Sequence, residues 1–336
     1  MKIQCIPTTS IMKTILQLPY NFKYYFSIKH LPNKYIMKII YYYQTFVGLD
    51  KILNDPKTVV THIHLSSIHF GLDDNAKPYI HLNDNDPDDP KFNDLWDELR
   101  EAKNKGIKIV LMVGGAGGAY GTLFGKKYTI YRNLLFDTIL KHRDIISGID
   151  LDIEEYVTLP DVKMLISDIV AEFGSKFIIS MAPVQDSVMN DDPGMGGFIY
   201  KDLIKSAEGQ FINYLNVQCY GDFSMKTYET ILNNDYQPEM INMGMLSSQD
   251  FPTILETVKE IRKKYKLAGV YNWEYYSSPP NSPTDPSEWA KFMAMTIESS
   301  CSYIRALINY SITPIMYLFP YKDKKKNILN LTKIDL

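Results

Sequence analysis

The sequence is poor in several features that usually identify a class of protein. It has three cysteines in 336 residues, and Cys5, Cys219 and Cys301 match neither a disulfide framework nor a metal-ligand spacing. Cys219 lies within an apolar run, so we predict a buried apolar side chain there. The 36 lysines and arginines nearly balance 39 aspartates and glutamates, and the net charge of −3 argues against nucleic acid as a partner.

Long apolar runs are also missing. Residues 1–36 are interrupted by Pro7, Pro19 and Pro32, and they lack the continuous apolar region of a signal peptide. Residues 306–320 form the longest apolar run near the carboxyl terminus, but they are too few and too polar to predict a membrane span. We therefore expect no membrane partner, and the ends of the chain predict neither a secreted nor a cytoplasmic location.

Strand and helix patterns alternate along most of the chain. Apolar or β-branched runs predict eight strands, at residues 38–45, 59–66, 107–113, 148–154, 177–183, 214–220, 241–246 and 268–273. Helical spacing, as in Phe92, Leu95, Trp96 and Leu99, predicts helices between them. Eight strands favour a (β/α)8 TIM barrel over a doubly wound sheet. The chemistry of such a barrel lies where its strands end.

A single catalytic domain accounts for this pattern. We predict a barrel over residues 37–297, an amino-terminal extension over residues 1–36 and a carboxy-terminal extension over residues 298–336. Three lysines at residues 324–326 make the last segment basic, and we interpret it as a solvated tail. We expect a monomer.

The most informative segment is the predicted fourth strand. Asp150, Asp152 and Glu154 are two residues apart, so the three acids share one face of the strand. Leu151 and Ile153 then face the covering helices. Because like charges this close are costly to ionise together, at least one carboxyl pKa should rise. A carboxylic acid with a raised pKa can donate a proton to a glycosidic oxygen near neutral pH.

Two other interpretations of these acids carry less weight. Surface acids on a half-exposed strand would not need the apolar opposite face that Leu151 and Ile153 provide. Three carboxylates also suit Mg²⁺ or Ca²⁺, but no His or Asn on the same strand joins them. His62 and His64 share a face of the second strand and could bind a metal, yet no third ligand is identifiable, so packing within the barrel is favoured.

The acidic segment resembles glycoside hydrolase family 18, whose fourth strand carries Asp-x-x-Asp-x-Asp-x-Glu. Asp150, Asp152 and Glu154 match the last three positions, and Ser147 replaces the first Asp. Ser147 is an odd number of residues from Asp150, so its side chain should leave the inner face. Replacement of the family's first Asp by Ser147 should therefore affect the packing around the acids more than the reaction itself.

Other strands match the family in the same order. Gly114 and Gly115 resemble the third-strand Ser-x-Gly-Gly, with Met112 in place of the Ser. Met181, in Met-Ala-Pro, resembles the fifth-strand segment. The resemblance covers residues 38–297, and it implies that these glycines and Met181 contact substrate.

Two further matches complete the series, and the first resembles the plant and fungal type. Gln218 and Tyr220 resemble the sixth-strand Gln-x-Tyr, whose Tyr lines the substrate subsite. Gly221 follows where the family usually has Asp or Asn. Trp273 resembles the Trp at the eighth-strand end, which forms the floor under the cleaved sugar. The resemblance thus implies that Gln218 and Trp273 bind substrate.

The resemblance also implies a mechanism in which the substrate's 2-acetamido group is the nucleophile. Glu154 would protonate the leaving oxygen and then activate water. Asp152 would accept a hydrogen bond from the acetamide N–H, and Asp150 would share a proton with Asp152. Tyr220 would donate to the acetamide oxygen and Trp273 would stack under the ring. No metal or organic cofactor is implied, and the partner would be a chitin-like polysaccharide or oligosaccharide.

Three functions are compatible with these motifs. The first is a chitinase cleaving β-1,4-linked N-acetylglucosamine polymers. The second is an endo-β-N-acetylglucosaminidase acting on N-glycan cores, which differs in loop shape rather than in motif. The third is a silent barrel that binds chitin-type sugars as a lectin. Silent members of the family usually lack the glutamate or an aspartate, whereas this chain keeps Asp150, Asp152, Glu154 and Tyr220.

Overall fold

A computed structural model describes residues 37–296, in which parallel strands alternate with helices. The strands of this range are β1 (Lys38–Tyr43), β2 (His62–Leu72), β3 (Pro78–Leu82), β4 (Lys108–Gly114), β5 (Ile146–Asp152), β6 (Ile178–Met181), β7 (Tyr214–Gln218), β8 (Ile241–Leu246) and β9 (Gly269–Trp273).

The helices of the same range surround these strands. They are α1 (Asp50–Leu53), α2 (Asn93–Asn104), α3 (Tyr120–Leu123), α4 (Tyr128–Lys141), α5 (Leu159–Phe173), α6 (Gln185–Met189), α7 (Tyr200–Ile204), α8 (Met225–Asn233), α9 (Phe251–Lys264) and α10 (Glu288–Met295). Short 3-10 turns cover Pro90–Phe92, Gly209–Phe211, Pro238–Met240 and Tyr275–Ser277.

Eight of the strands close into a ring. Each pairs in parallel with its neighbour in the order β1, β2, β4, β5, β6, β7, β8 and β9, and β9 returns to β1. The remaining strand, β3, pairs antiparallel with the end of β2. The prediction of a (β/α)8 barrel is therefore confirmed. All eight predicted strands are present, although their ends differ by a few residues.

The largest departure from the predicted strands is the β2–β3 hairpin. β2 continues to Leu72, well past the predicted end at residue 66, and β3 was not predicted. Asp73 directs the turn, because its Oδ1 accepts hydrogen bonds from the amides of Asn75 (2.9 Å) and Lys77 (2.8 Å). The turn can be recognised in the sequence. The strand residues on either side of it lie beyond the eight-stranded ring, so the alternation of strands and helices in a barrel does not predict them.

Local signals set the ends of α5, the helix that follows β5. The Thr158 hydroxyl accepts a hydrogen bond from the Asp161 amide at 3.2 Å and caps α5. Gly174, at a φ of 82°, ends the helix in a conformation that other residues rarely adopt. The apolar face of α5, including Leu165, Ile166 and Ile169, is fully buried against the strands, as its spacing predicts.

Strand side chains divide into two cores. Those pointing outward pack under the helices, as Leu151 and Ile149 do. Those pointing inward form a small apolar cluster, made of Ile40, Tyr42, Met112, Tyr214 and Tyr271. Cys219 belongs to the outer core and is 0% exposed, which confirms the predicted burial. Each fully buried Leu or Ile contributes about 1.5–3 kcal/mol to stability, so the outer core holds the ring together.

Several predictions fall beyond the described range. The two predicted extensions, residues 1–36 and 298–336, lie outside the described residues. The described range ends just after α10, at residue 296. Within residues 37–296, no helix combines the length and apolar character needed to cross a bilayer.

Candidate active site

The acidic strand β5 delivers its carboxyl groups to the inside of the barrel. Asp150 pairs in register with Met112 on one side and Ser180 on the other, and Asp152 pairs with Gly114. Leu151, between the two aspartates, points outward into the helix-covered core. The strand ends at Asp152, so Glu154 lies in the loop that follows it, half-buried.

Asp150 is fully buried within a set of polar groups from other strands. Its Oδ2 accepts a 2.7 Å hydrogen bond from Tyr42 and lies 3.3 Å from Nδ1 of His64. Its Oδ1 accepts a 2.5 Å hydrogen bond from Ser180, and Asn216 Nδ2 lies 3.4 Å away. Burial alone would raise the pKa of Asp150. The His64 imidazole and the hydroxyl donors outweigh burial and hold that pKa below its ordinary value, so Asp150 remains a carboxylate.

Asp152 has the opposite electrostatic character. Burial raises its pKa well above the ordinary value, and repulsion from Glu154 and Asp150 raises it further. The predicted rise in one carboxyl pKa therefore falls on Asp152. Of these two neighbouring aspartates, Asp152 therefore retains its proton to a higher pH than Asp150 does.

One amide nitrogen joins the two carboxyl groups nearest the mouth of the barrel. Nε2 of Gln218, on β7, donates to Asp152 Oδ1 at 3.2 Å and to Glu154 Oε1 at 3.1 Å. It also lies 3.0 Å from the Ala182 carbonyl oxygen, which fixes the orientation of the amide. Gln218 was predicted to bind substrate. The structure places it on the two carboxyl groups, where it sets their spacing.

Aromatic side chains form the rim above these acids. The Tyr220 hydroxyl accepts a 3.2 Å hydrogen bond from Tyr271, so its own proton remains available to another acceptor. Burial raises the pKa of Tyr220, which keeps the hydroxyl protonated. Trp273 ends β9, and its ring packs 5.5 Å from Tyr42 at 52°. The structure thus brings Tyr220 and Trp273 to the mouth that holds the acids.

The glycine loop after β4 closes against the acidic strand. The Gly115 amide donates to the Asp152 carbonyl oxygen at 2.9 Å. A Cβ at Gly114 would lie 2.3 Å from that same oxygen, and a Cβ at Gly115 would lie 2.7 Å from Met112 Cε. Both residues have positive φ, 93° and 83°. Their observed role is close packing on Asp152, and direct substrate contact by either glycine stays a prediction.

Met181 is not brought to the site. It pairs with Leu151 and Leu215, both outward-facing, and its side chain is 0% exposed within the outer core. The inward position on β6 belongs to Ser180, one residue earlier. The expectation that Met181 contacts substrate is therefore corrected: the two faces of the strand alternate, and Met181 occupies the wrong one.

Of the three positions where the chain departs from the family motifs, Met112 lies in the inner cluster, and Ser147 and Gly221 lie away from the acids. Ser147 accepts a hydrogen bond from Lys103 on α2, so its side chain leaves the barrel interior as predicted. Gly221 is exposed, and the nearest atoms to a Cβ built there belong to the Gln185 amide, 3.6–3.8 Å away. Neither position contacts the carboxyl groups in the interactions that the structure shows.

Tyr42, His64, Ser180 and Asn216 surround Asp150, and the sequence interpretation did not assign them to the site. His64 was considered with His62 as a metal ligand or packing residue. In the structure it lies beside Asp150, whereas His62 Nδ1 lies 2.8 Å from the Thr61 hydroxyl. No three His, Cys, Asp or Glu side chains in the described part of the chain are grouped as metal ligands. The only sequence signal for these four residues is that each is a polar residue within a predicted strand.

Grooves lie on two sides of the barrel mouth. One, of about 520 Å³, is lined mainly by polar groups after β1 and along the β2–β3 hairpin, among them Gln44, Thr45 and Asn83. The other, of about 350 Å³, lies beside Trp273 and Leu246. Both lie near the carboxyl ends of barrel strands, where ligands of this fold bind.

Solved structures resemble the chain over most of its length. A fungal endo-β-N-acetylglucosaminidase of glycosyl hydrolase family 18 is 28% identical, with a TM-score of 0.71 over 80% of this chain and 98% of its own. The chitinase ChiC from Aspergillus fumigatus is 28% identical, with a TM-score of 0.67 over 78% of this chain and 100% of its own. A family 18 chitinase from Pseudoalteromonas aurantia, at 18% identity and a TM-score of 0.58 over 77% of this chain and 100% of its own, shares the fold. No family model and no curated protein matches the chain.

A (β/α)8 barrel with this carboxyl cluster at the carboxyl ends of its strands defines the class of the protein as a glycoside hydrolase acting on a carbohydrate. Within that class, the chain is a chitinase-type glycosidase that is similar in sequence and fold to solved enzymes of glycoside hydrolase family 18.

Proposed function

We propose that the protein hydrolyses β-1,4-linked N-acetylglucosamine polymers, such as chitin and chito-oligosaccharides, with retention of anomeric configuration. The observation that carries the proposal is the sharing of Gln218 Nε2 by Asp152 and Glu154. In an ordinary retaining glycosidase, acid and nucleophile carboxylates lie on opposite sides of the scissile bond. Here both groups reach one nitrogen, closer together than the roughly 6.5–9.5 Å that an inverting enzyme needs to admit water, which supports retention. The resemblance to family 18 implies that the substrate rather than the second carboxylate supplies the nucleophile.

The substrate's own 2-acetamido oxygen supplies that nucleophile. As the Glu154 carboxylic acid transfers its proton to the glycosidic oxygen, the bond from that oxygen to C1 breaks and a bond from the acetamide oxygen to C1 forms. Glu154, now a carboxylate, then takes a proton from water while the water oxygen attacks C1 and releases the acetamide. Two inversions at C1 give net retention.

The two aspartates stabilise the positive charge of the intermediate. Because its pKa is raised and that of Asp150 is lowered, Asp152 binds a proton more readily than Asp150 does in the free protein. The cationic intermediate favours the ionised form, which accepts the acetamide N–H. The released proton is shared with Asp150. The four donors around Asp150, from strands other than its own, keep that carboxyl group in place during the exchange.

The aromatic rim orients the sugar for this attack. Tyr220 donates to the acetamide oxygen, because Tyr271 already occupies its acceptor side. Trp273 provides the apolar floor under the ring. The grooves on either side of the mouth provide room for neighbouring sugar units.

An endo-β-N-acetylglucosaminidase acting on N-glycan cores is the second candidate function. The observation in its favour is the similarity to the fungal enzyme of that activity. Both substrates contain the same linkage between two N-acetylglucosamine units, so the carboxyl cluster serves either. The loops around the grooves would make the distinction.

Hydrolysis of fluorogenic N-acetylchito-oligosaccharides of two and three units tests the proposal, with a glycoprotein carrying N-glycans assayed in parallel. We expect turnover of the chito-oligosaccharides and a newly formed reducing end that is initially the β-anomer by NMR. Removal of the general acid in Glu154→Gln should reduce turnover by about 10²–10⁴-fold while oligosaccharide binding survives. Deglycosylation alone would support the second candidate, and binding without turnover by the wild type would indicate a lectin.

A further inference from the structure

The residue after the proposed acid, Glu155, has a set of contacts that the reaction does not explain. Its Oε1 accepts hydrogen bonds from the backbone amides of Ala119 and Tyr120, and its Oε2 accepts one from Gly121 at 3.1 Å. Three consecutive amides, where the loop after β4 enters α3, therefore converge on one half-buried carboxylate. Hydrogen bonds from backbone N–H groups to a carboxylate are among the stronger ones in proteins.

The glycines of this loop leave space for that carboxylate. A Cβ at Gly118 would lie 3.2 Å from both carboxylate oxygens of Glu155, and a Cβ at Gly121 would lie 3.0 Å from Oε2. Gly118 also has a φ of 76°, which other residues adopt only with strain. Side chains at these positions would push the carboxylate away from the amides.

The same loop is fixed to the other side of Glu154. At its start the Gly115 amide donates to the Asp152 carbonyl oxygen at 2.9 Å. The Tyr120 hydroxyl returns to β4 and donates to the Val113 carbonyl oxygen at 2.7 Å. The loop therefore holds the backbone at Asp152 and the side chain at Glu155, and Glu154 lies between these two attachments.

We infer that Glu155 is a positioning residue that aims Glu154 at the glycosidic oxygen, an inference that rests on the proposed function. Fixing the chain on both sides of Glu154 restricts the direction in which its carboxyl group extends from the loop. Misplacement of a catalytic group by about 1 Å can reduce a rate by about 10²-fold. Glu155 need not touch the sugar to have this effect.

The test is Glu155→Gln, which preserves size but places an amide N–H₂ against the loop amides. Asp168→Asn is the matched control: Asp168 is a half-buried carboxylate that accepts from Tyr128 at 2.8 Å and Arg132 at 3.0 Å, between outer helices. Two substrates are compared, tri-N-acetylchitotriose and the 2,4-dinitrophenyl β-glycoside of di-N-acetylchitobiose. The second has a leaving group that departs without a proton, so its cleavage depends little on the acid.

We expect kcat of Glu155→Gln on the trisaccharide to fall by about 10²-fold with little change in KM. On the dinitrophenyl glycoside kcat/KM should fall by less than about threefold, because kcat/KM reports cleavage of the bond to dinitrophenolate, which needs no proton, and not the later attack of water that Glu154 assists. Asp168→Asn should keep wild-type kcat on both substrates. A merely structural defect would lower both activities alike, and that outcome, or no loss at all, overturns the inference.

Gly121→Ala serves if Glu155→Gln does not fold, since Gly121 lacks a positive φ and a methyl group there presses on Glu155 Oε2. The same leaving-group dependence is expected, and its absence would count against the role of Glu155. Failure of the wild type on both substrates would instead refute the proposed function. The two failures are thereby distinguishable.

Discussion

The Tyr42 hydroxyl donates a 2.7 Å hydrogen bond to Oδ2 of Asp150 across the inside of the barrel. The two residues lie on β1 and β5, 108 positions apart in the chain. Both are buried, at 1% and 0% exposure, so water cannot replace the hydrogen bond if it is lost.

Tyr42→Phe should therefore destabilise the protein. Loss of one donor to a buried carboxylate costs about 1–3 kcal/mol, and the pKa of Asp150 should rise because the hydroxyl lowers it. Unfolding in urea at pH 7 measures the change. Tyr236→Phe is the matched control, because the buried Tyr236 hydroxyl has no partner among residues 37–296. An equal loss in both variants would show that the Asp150 hydrogen bond is not responsible.

Asp152→Asn should stabilise the protein at neutral pH while reducing activity. The folded pKa of Asp152 lies above its unfolded value of about 3.9. The unfolded chain therefore releases this proton first as pH rises, and each unit of difference favours unfolding by about 1.4 kcal/mol. Asn removes this penalty. The gain in Tm over wild type should be absent below about pH 4 and grow between that pH and the folded pKa.

Asp150→Asn should show the opposite sign. The lowered pKa of Asp150 contributes stability above the unfolded pKa, and this contribution is lost as pH falls through the folded pKa. The variant should therefore lose Tm at pH 7 and approach wild type in acid. Scanning calorimetry across pH 3–8 measures both aspartate variants, and parallel curves for the two would contradict these assignments.

Tyr220→Phe should lower kcat by about 10²-fold, as removal of one donor to a developing charge does in other enzymes. Tyr271→Phe leaves the Tyr220 proton in place and removes only the hydrogen bond that Tyr220 accepts at 3.2 Å. A net hydrogen bond of about 1 kcal/mol corresponds to roughly a fivefold effect. Steady-state kinetics on chito-oligosaccharides separates the two. Equal losses would mean that Tyr220 acts through Tyr271 rather than through the sugar.

Gly114→Ala should destabilise the protein by more than the strain of its backbone conformation alone. Its φ of 93° resembles the 91° of Gly106, so replacement by Ala imposes a similar conformational cost, about 1–2 kcal/mol, at both positions. At Gly114 the methyl group would also meet the Asp152 carbonyl oxygen at 2.3 Å, whereas at Gly106 nothing lies within 4 Å. Thermal unfolding should therefore show a larger Tm loss for Gly114→Ala, accompanied by loss of activity. A similar loss for both would mean that the loop moves without consequence.

Parts of the site could be recognised from the spacing of residues within a few positions of one another in the sequence. Asp150, Asp152 and Glu154 share a spacing of two, and the structure brings Asp152 and Glu154 to one amide nitrogen. Tyr220 and Trp273 follow strand ends, where the fold places its chemistry. Met181 shows the limit of such reasoning. All but the first residue of β6 are buried, so alternation of polarity did not reveal which face points inward.

The sequence alone determined the alternation of strands and helices and the acidic ladder, because both depend on periodicity within a few residues. Tertiary structure decided which groups surround each acid. Tyr42 and His64 reach Asp150 only through closure of the ring. Closure of the ring therefore lowers the pKa of Asp150 and raises that of Asp152, although both residues lie on β5. The burial of each carboxyl group and its hydrogen-bond donors depend on the register between strands, which local sequence does not encode.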